Sequence, residues 1–175
     1  MSIDVVAIHD VRADVTRETW AFEELYRTEY PRLVAVATAL TGRVSDGEDM
    51  VQDTMVKAFL RWKRVQRLER PGSWCLHVLV NACRSFWRRR RTERNYLSRS
   101  WRRDEPFMSD TPPDVIVFWE LVRALPSRPR MAVTLHFAGD RTMAEVAAML
   151  DVPEGTVRSD IARARTYITA ALRGE

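Results

Sequence analysis

Apolar residues recur at three-and-four spacing from Trp20 onward. Phe22, Leu25, Tyr26, Leu33, Val36, Ala37 and Leu40 fall on one face of a helix that Gly42 stops. Pro31 lies inside this stretch and predicts a kink or a split, because it lacks an N–H and its ring crowds the preceding turn. Residues 1–19 mix short apolar pieces (Val5, Val6, Ile8) with Asp4, Asp10, Asp14 and Glu18 and keep no helical period, which predicts a loosely ordered extension. Ser45 and Glu48 read as a capping box opening a helix over about 45–63, with Asp46, Glu48 and Asp49 at its positive end and Lys57, Arg61 and Lys63 at its negative end. Val51, Met55, Phe59 and Trp62 form its predicted buried stripe. Arg64 to Gly72 is polar, ends in Pro71-Gly72 and reads as a loop. A third helix follows from Ser73 to about Arg91, with Trp74, Val78, Leu79, Ala82 and Phe86 on one side.

The period disappears from Thr92 to Pro113, where Pro106, Pro112 and Pro113 stand among Ser, Asp and Arg. It returns over Val115 to Leu125 and, after a Pro126-Ser127 break, over Arg130 to Ala138. Thr142 with Glu145 is a second capping box, opening a short helix that carries Val146, Ala147 and Leu150. Asp151-Val152-Pro153 interrupts it, and Thr156 to Leu172 resumes with Val157, Ile161, Ala164 and Ile168 at helical spacing. The predicted architecture is all-α: an extension (1–19), two small helical modules (20–91 and 114–175), and a flexible linker between them (92–113).

Composition narrows the class. The chain has 175 residues, 46% hydrophobic and 30% charged, with a mean hydropathy of −0.32. Its longest apolar runs fall short of the ~18 residues a membrane helix needs, and Met1 opens onto acids instead of a signal segment. Two cysteines cannot make a disulfide scaffold, so a reduced, cytoplasmic protein with no membrane contact is expected. Cys75, His77 and Cys83 stand at helical spacing without a fourth ligand, which argues against a metal site. His9 and His136 lack a recognisable catalytic partner and there is no phosphate-binding glycine motif, so neither an enzyme nor a cofactor is expected.

Charge placement changes the picture more than its total. The net charge is +4, but Arg84 to Arg103 holds nine arginines and one acid, a local +8 that leaves −4 for the rest. Such concentration suits a polyanion contact, or else a solvated helix end and basic tether. On the third helix Trp74, Phe86 and Trp87 stand beside Arg84 and Arg88, a mixture suited to stacking on unpaired bases while following phosphates. Trp74 and Phe86 also suit a core, which leaves Trp87 as the better exposed ring. The last two helices have helix-turn-helix dimensions, and the second presents Glu154, Thr156, Arg158, Ser159, Ala162 and Arg163 first. Arginine there can pair with guanine edges. Asp49, Gln52 and Asp53 have the wrong sign for phosphate and form either a protein-docking face or a solvated helix start.

Four stretches, in order, resemble the bacterial extracytoplasmic-function sigma factors, the RNA polymerase subunits that direct promoter recognition. FEELYRTEYPRL, LTGRVSDGEDMVQDTMVKAFLRW and WCLHVLVNACRSFWRRRR are similar to the family's region two, a three- to four-helix bundle. LPSRPRMAVTLHFAGDRTMAEVAAMLDVPEGTVRSDIARAR is similar to region four, a helix-turn-helix. The first segment is especially similar to forms common in actinobacteria, and 26 Arg against 2 Lys suits a GC-rich genome. The resemblance implies that Asp49, Gln52 and Asp53 dock on the clamp helices of the polymerase's largest subunit. It also implies that the loop within Arg64 to Ser73 captures a flipped base of the melted minus-ten element. Asn81, Arg84 and Arg88, with Trp74 and Trp87, then follow the non-template strand, while Thr156, Arg158, Ser159, Ala162 and Arg163 read the minus-thirty-five element. Implied partners are core RNA polymerase, promoter DNA and an anti-sigma factor, for a chain that is itself monomeric.

Three positions depart from the family pattern. Asp151 stands where glycine is common in the turn, Ser85 where an acid is common, and Asp160 where arginine is frequent on the recognition helix. Asp160 predicts a lost phosphate contact and added repulsion. The competing reading is a stand-alone helix-turn-helix regulator that binds duplex operators as a dimer, its first module serving for dimerisation or effector binding.

Overall fold

The structure, a computed structural model, describes the backbone of residues 5–94 and 113–173 and the side chains of 21–89 and 114–173. Among the described residues eight helices follow one another: α1 (Val5–Thr41), α2 (Val44–Leu60), α3 (Trp62–Val65), α4 (Pro71–Arg94), α5 (Pro113–Ala124), α6 (Ser127–Phe137), α7 (Met143–Leu150) and α8 (Glu154–Arg173). Among the described residues there is no strand. The greater part of the predicted linker, 95–112, lies outside the described residues, as do the side chains of Arg90 to Arg103.

Helix α1 departs from expectation at both ends of its story. Residues 5–19, expected as a loose extension, continue the helix, and Pro31 sits inside it without interrupting it. Extending an existing helix costs no new nucleation, and residues 5–19 contain neither Gly nor Pro to stop it. Its core face is the predicted one: Leu33, Val36, Ala37 and Leu40 are buried at i, i+3, i+4 and i+7. Gly42 ends it at φ +83, and its N–H donates to the Thr38 carbonyl at 2.8 Å, the left-handed stop that glycine makes without steric cost.

The Ser45 capping box does not form. α2 starts one residue earlier, with Arg43 at the N-cap and no side-chain cap bond. The tight α1–α2 corner decides this start, since the Thr41 hydroxyl donates to the Ala37 carbonyl at 2.9 Å and accepts from the Arg43 N–H at 3.4 Å. α2 then crosses α1 closely: a Cβ on Gly47 would lie 2.6 Å from the Thr38 hydroxyl. Val51, Met55, Ala58 and Trp62 are buried, but Phe59 is 57% exposed and meets Phe22 edge-on at 5.1 Å. The predicted loop is also shorter, because α3 takes Trp62–Val65 and Pro71 opens α4. Proline suits a first helical turn, where its missing N–H has no intrahelical acceptor. α4 buries Cys75, Leu76, Leu79, Val80 and Cys83; of the predicted stripe of Trp74, Val78, Leu79, Ala82 and Phe86, Leu79 lies in the core and the other four are half-buried at its edge.

The last four helices follow the sequence pattern more closely. α6 begins at Ser127, ahead of the expected Arg130. Thr142 caps α7 with the full reciprocal box: the Glu145 N–H donates to the Thr142 hydroxyl at 3.2 Å, and the Thr142 N–H donates to the Glu145 carboxylate at 2.9 Å. Asp151 takes the left-handed turn at φ 55, ψ 53, as its short polar side chain permits.

Both halves share a continuous buried cluster, running from Leu33, Val36 and Leu79 to Val122, Leu135, Val146 and Val157. The Arg32 guanidinium donates to the Gly139 carbonyl across the junction, and Arg70 pairs with Glu145 at 3.4 Å. The two modules are thus packed against each other, which the linker reading alone did not foresee.

Candidate nucleic-acid and protein interfaces

Three exposed faces emerge. On α2, Asp49, Gln52 and Asp53 all face solvent. One stripe of the helix continues from Asp49 and Asp53 to Val56 and Leu60, which are 56% and 75% exposed. Two large aliphatic side chains thus stand in water beside the acids of α2, a pairing of apolar area with charge. The sequence reading missed Val56 and Leu60. The signal was available, since both fall off the buried stripe of Val51, Met55, Ala58 and Trp62.

On α4 the spacing of Trp74, Asn81, Arg84 and Arg88 places them on one face, with Asn81 and Arg88 exposed and Trp74 and Arg84 half-buried. Arg88 donates to the Ser85 hydroxyl at 3.0 Å. Trp87 is not the exposed ring expected of it. It lies one residue off this face, half-buried, edge-on to Phe86 at 5.9 Å and under the Arg130 guanidinium of α6 at 4.4 Å from the ring centroid. Ahead of α4, Arg67, Leu68, Glu69 and Arg70 form an exposed turn. Cys75 and Cys83 point into the core, where burial pushes their thiols up to about 11 and about 12. His77 is exposed, so these three residues do not converge on a common point.

The third face is the α7–α8 hairpin. α7 packs Val146, Ala147 and Leu150 inward, and α8 buries Val157, Ile161, Ala164 and Ile168. Arg158, Ser159, Ala162 and Arg163 are left exposed on the outer side, with Thr156 half-buried. Arg158 pairs with Glu154 at 2.8 Å. Asp160 departs from the expectation of an exposed, repelling charge. Its side chain is 2% exposed and sits between α6 and α8, bonded to Arg128 and Arg163. The partner Arg128 is 32 residues away, beyond the reach of local spacing arguments.

Glu145 is held below the usual carboxylate range, first by the Thr142 backbone N–H, then by the Thr142 hydroxyl and the nearby Arg141 and Arg70. That ion-paired cap fixes where α7 enters the hairpin and ties it to the turn before α4.

Known proteins divide along the same boundary. Sigma-70 region 2 matches residues 25–93, and Sigma-70 region 4 matches residues 116–168. The chain is 31% identical over 164 residues to the ECF RNA polymerase sigma factor SigM of Mycobacterium tuberculosis, covering 91% of this chain and 81% of that one. It is 24% identical over 147 residues to the RNA polymerase sigma-E factor of Streptomyces coelicolor, covering 84% and 83%. Among solved structures, the sigma factor RpoE in complex with the anti-sigma factor NepR from Bartonella quintana shares the fold at a TM-score of 0.74 and 24% identity, over 87% of this chain and 96% of that one. With both regions in order and a relative of this identity spanning nearly the whole chain, the protein belongs to the extracytoplasmic-function sigma factors, which direct RNA polymerase to promoters.

Proposed function

We propose that α2 docks on the clamp helices of the polymerase's largest subunit, that residues 20–91 capture the melted minus-ten element, and that residues 114–175 read the minus-thirty-five element. The observation that carries the docking role is the α2 stripe, where Asp49 and Asp53 adjoin exposed Val56 and Leu60. Acids supply orientation and partner choice, while the aliphatic pair supplies area to remove from water. Strand capture falls to the exposed turn before α4 and to Trp74, Asn81, Arg84 and Arg88 along it. Trp87 stands outside that face. Upstream reading falls to Arg158, Ser159, Ala162 and Arg163, with Thr156 at the edge.

The chain acts as a monomer, a reading supported by the different chemistry of the α2, α4 and α8 faces among the described residues. An anti-sigma factor is the expected third partner, for which exposed Val115, Val117 and Phe137 offer apolar surface on the second module. The docking role is tested by pull-down with core RNA polymerase. Asp49→Lys/Asp53→Lys abolishes capture while circular dichroism shows the helical content retained. Undiminished capture by that variant removes α2 from the interface.

A further inference from the structure

The reversed charge at position 160 has a three-dimensional counterpart. Both Asp160 oxygens are occupied: Arg128 Nε donates to Oδ2 at 2.6 Å, and Arg128 Nη2 (3.2 Å) and Arg163 Nη2 (2.9 Å) donate to Oδ1. Arg163 also directs its Nε toward the Ser159 carbonyl at 3.3 Å. The carboxylate is buried, yet Arg128 and Arg163 are 51% and 68% exposed. A buried carboxylate demands a cation, and one bidentate arginine meets that demand. The second arginine is surplus, so the cluster is net positive and turns its charge outward.

Arg128 lies in the first turn of α6, the positive end of a helix, where stability alone disfavours a cation. Asp160 offsets this placement and raises the proton affinity of Arg128, first through the hydrogen bonds and then through charge. Arg128 spends its Nε–Nη2 edge on the carboxylate, whereas Arg163 gives it one Nη2 N–H and its Nε to the Ser159 carbonyl; with five N–H donors each, both half-exposed guanidinia retain donors beyond these bonds. Arg163 stands on the outer side of α8 with Ser159 and Ala162, and the shared carboxylate brings Arg128 alongside it.

We propose that Asp160 is a positioning residue for upstream DNA binding, whose buried carboxylate holds Arg128 and Arg163 side by side to contact backbone phosphates flanking the bases read by Arg158. This rests on the assignment of α8 to the minus-thirty-five element. Arg128 thereby joins the DNA-contacting set from outside the helix-turn-helix, and the carboxylate strengthens phosphate binding despite its sign.

The test uses holoenzyme formed from core RNA polymerase and the full chain. Its probe is a duplex selected from a randomised upstream library by the unsubstituted holoenzyme, titrated at several salt concentrations. Arg128→Ala should weaken binding roughly threefold to tenfold, flatten the salt dependence by about one counterion and leave base preference intact. Asp160→Asn removes a negative charge yet should weaken binding similarly, and Arg128→Ala/Asp160→Asn should be far from additive. Arg128→Lys keeps the charge without the bidentate grip, so it should retain the salt slope and lose part of the affinity. If Asp160→Asn fails to fold, the two Arg128 variants decide the matter by salt slope.

Tighter or unchanged binding by a folded Asp160→Asn overturns the proposal, as does an Arg128→Ala variant that loses thermal stability with its salt slope unchanged. Arg158→Ala separates the two levels of inference. Altered base preference there with no effect at Arg128 defeats only the positioning role, whereas unaltered preference defeats the assignment of α8 itself.

Discussion

The two helices assigned to DNA, α4 and α8, are presented differently. α8 keeps Arg158, Ser159, Ala162 and Arg163 on the open side of the hairpin, and its supporting contacts come from within its own module. α4 shares its surroundings with the other module: Arg130 covers Trp87, and Arg70, in the turn before α4, is paired with Glu145 of α7. The face proposed to read duplex is therefore built on one module, while the face proposed for strand capture is bordered by the second module. On the proposed assignment the difference follows the order of events, since duplex is available before any base is unpaired.

That contrast is sharpened first at α4. Asn81→Ala, or shortening the turn within 64–72, should reduce promoter opening by roughly tenfold or more, the scale of losing contacts to a captured base. Polymerase binding should hardly change. Permanganate reactivity on linear and pre-melted templates reads the difference, and full reactivity on both removes base capture from this region.

At α8 the next effect is expected. Arg158→Ala should cost about 1–3 kcal/mol of promoter binding and relax preference at a single position, if its guanidinium makes a bidentate guanine contact. In the free chain Arg158 pairs with Glu154, so Glu154→Gln should leave that preference in place. A promoter-variant binding series measures both.

The smallest effect concerns the cap that supports the reading helix. Thr142→Ala should cost about 1 kcal/mol in urea unfolding. The folded-state pKa of Glu145 is depressed below its ordinary 4.5, so its contribution is fully present above that value and is lost as pH falls through the folded pKa. Unfolding between neutral and acidic pH should therefore show a weaker acid destabilisation in Glu145→Gln than in the unsubstituted chain.

Legibility from sequence tracked how local each determinant is. The Thr142 box, the left-handed Asp151 and the Gly42 stop depend on residues within one turn, and all are found where the pattern places them. Ser45 also carried a local signal, but the corner at Thr41 and Gly42, set by the close approach of Gly47 to Thr38, displaced the helix start. Aromatic residues at helical spacing misled for a different reason. Phe59 and Trp87 lie at the border of the core stripe, where a rotation of one position exchanges core for surface, and periodicity alone does not resolve it. Asp160 was least legible, because its meaning depends on Arg128, two helices away. Reading it as exposed repulsion followed from the sequence of α8 alone.

The functional account is tested most directly by transcription in vitro from a template library with core RNA polymerase, with and without the chain, followed by mapping of RNA 5′ ends. The account predicts discrete start sites that appear only with the chain, lie downstream of a shared two-part sequence, and vanish with Asp49→Lys/Asp53→Lys. No new start sites, together with dimeric protection of a palindromic duplex in the absence of polymerase, would contradict it and return the chain to the class of stand-alone regulators.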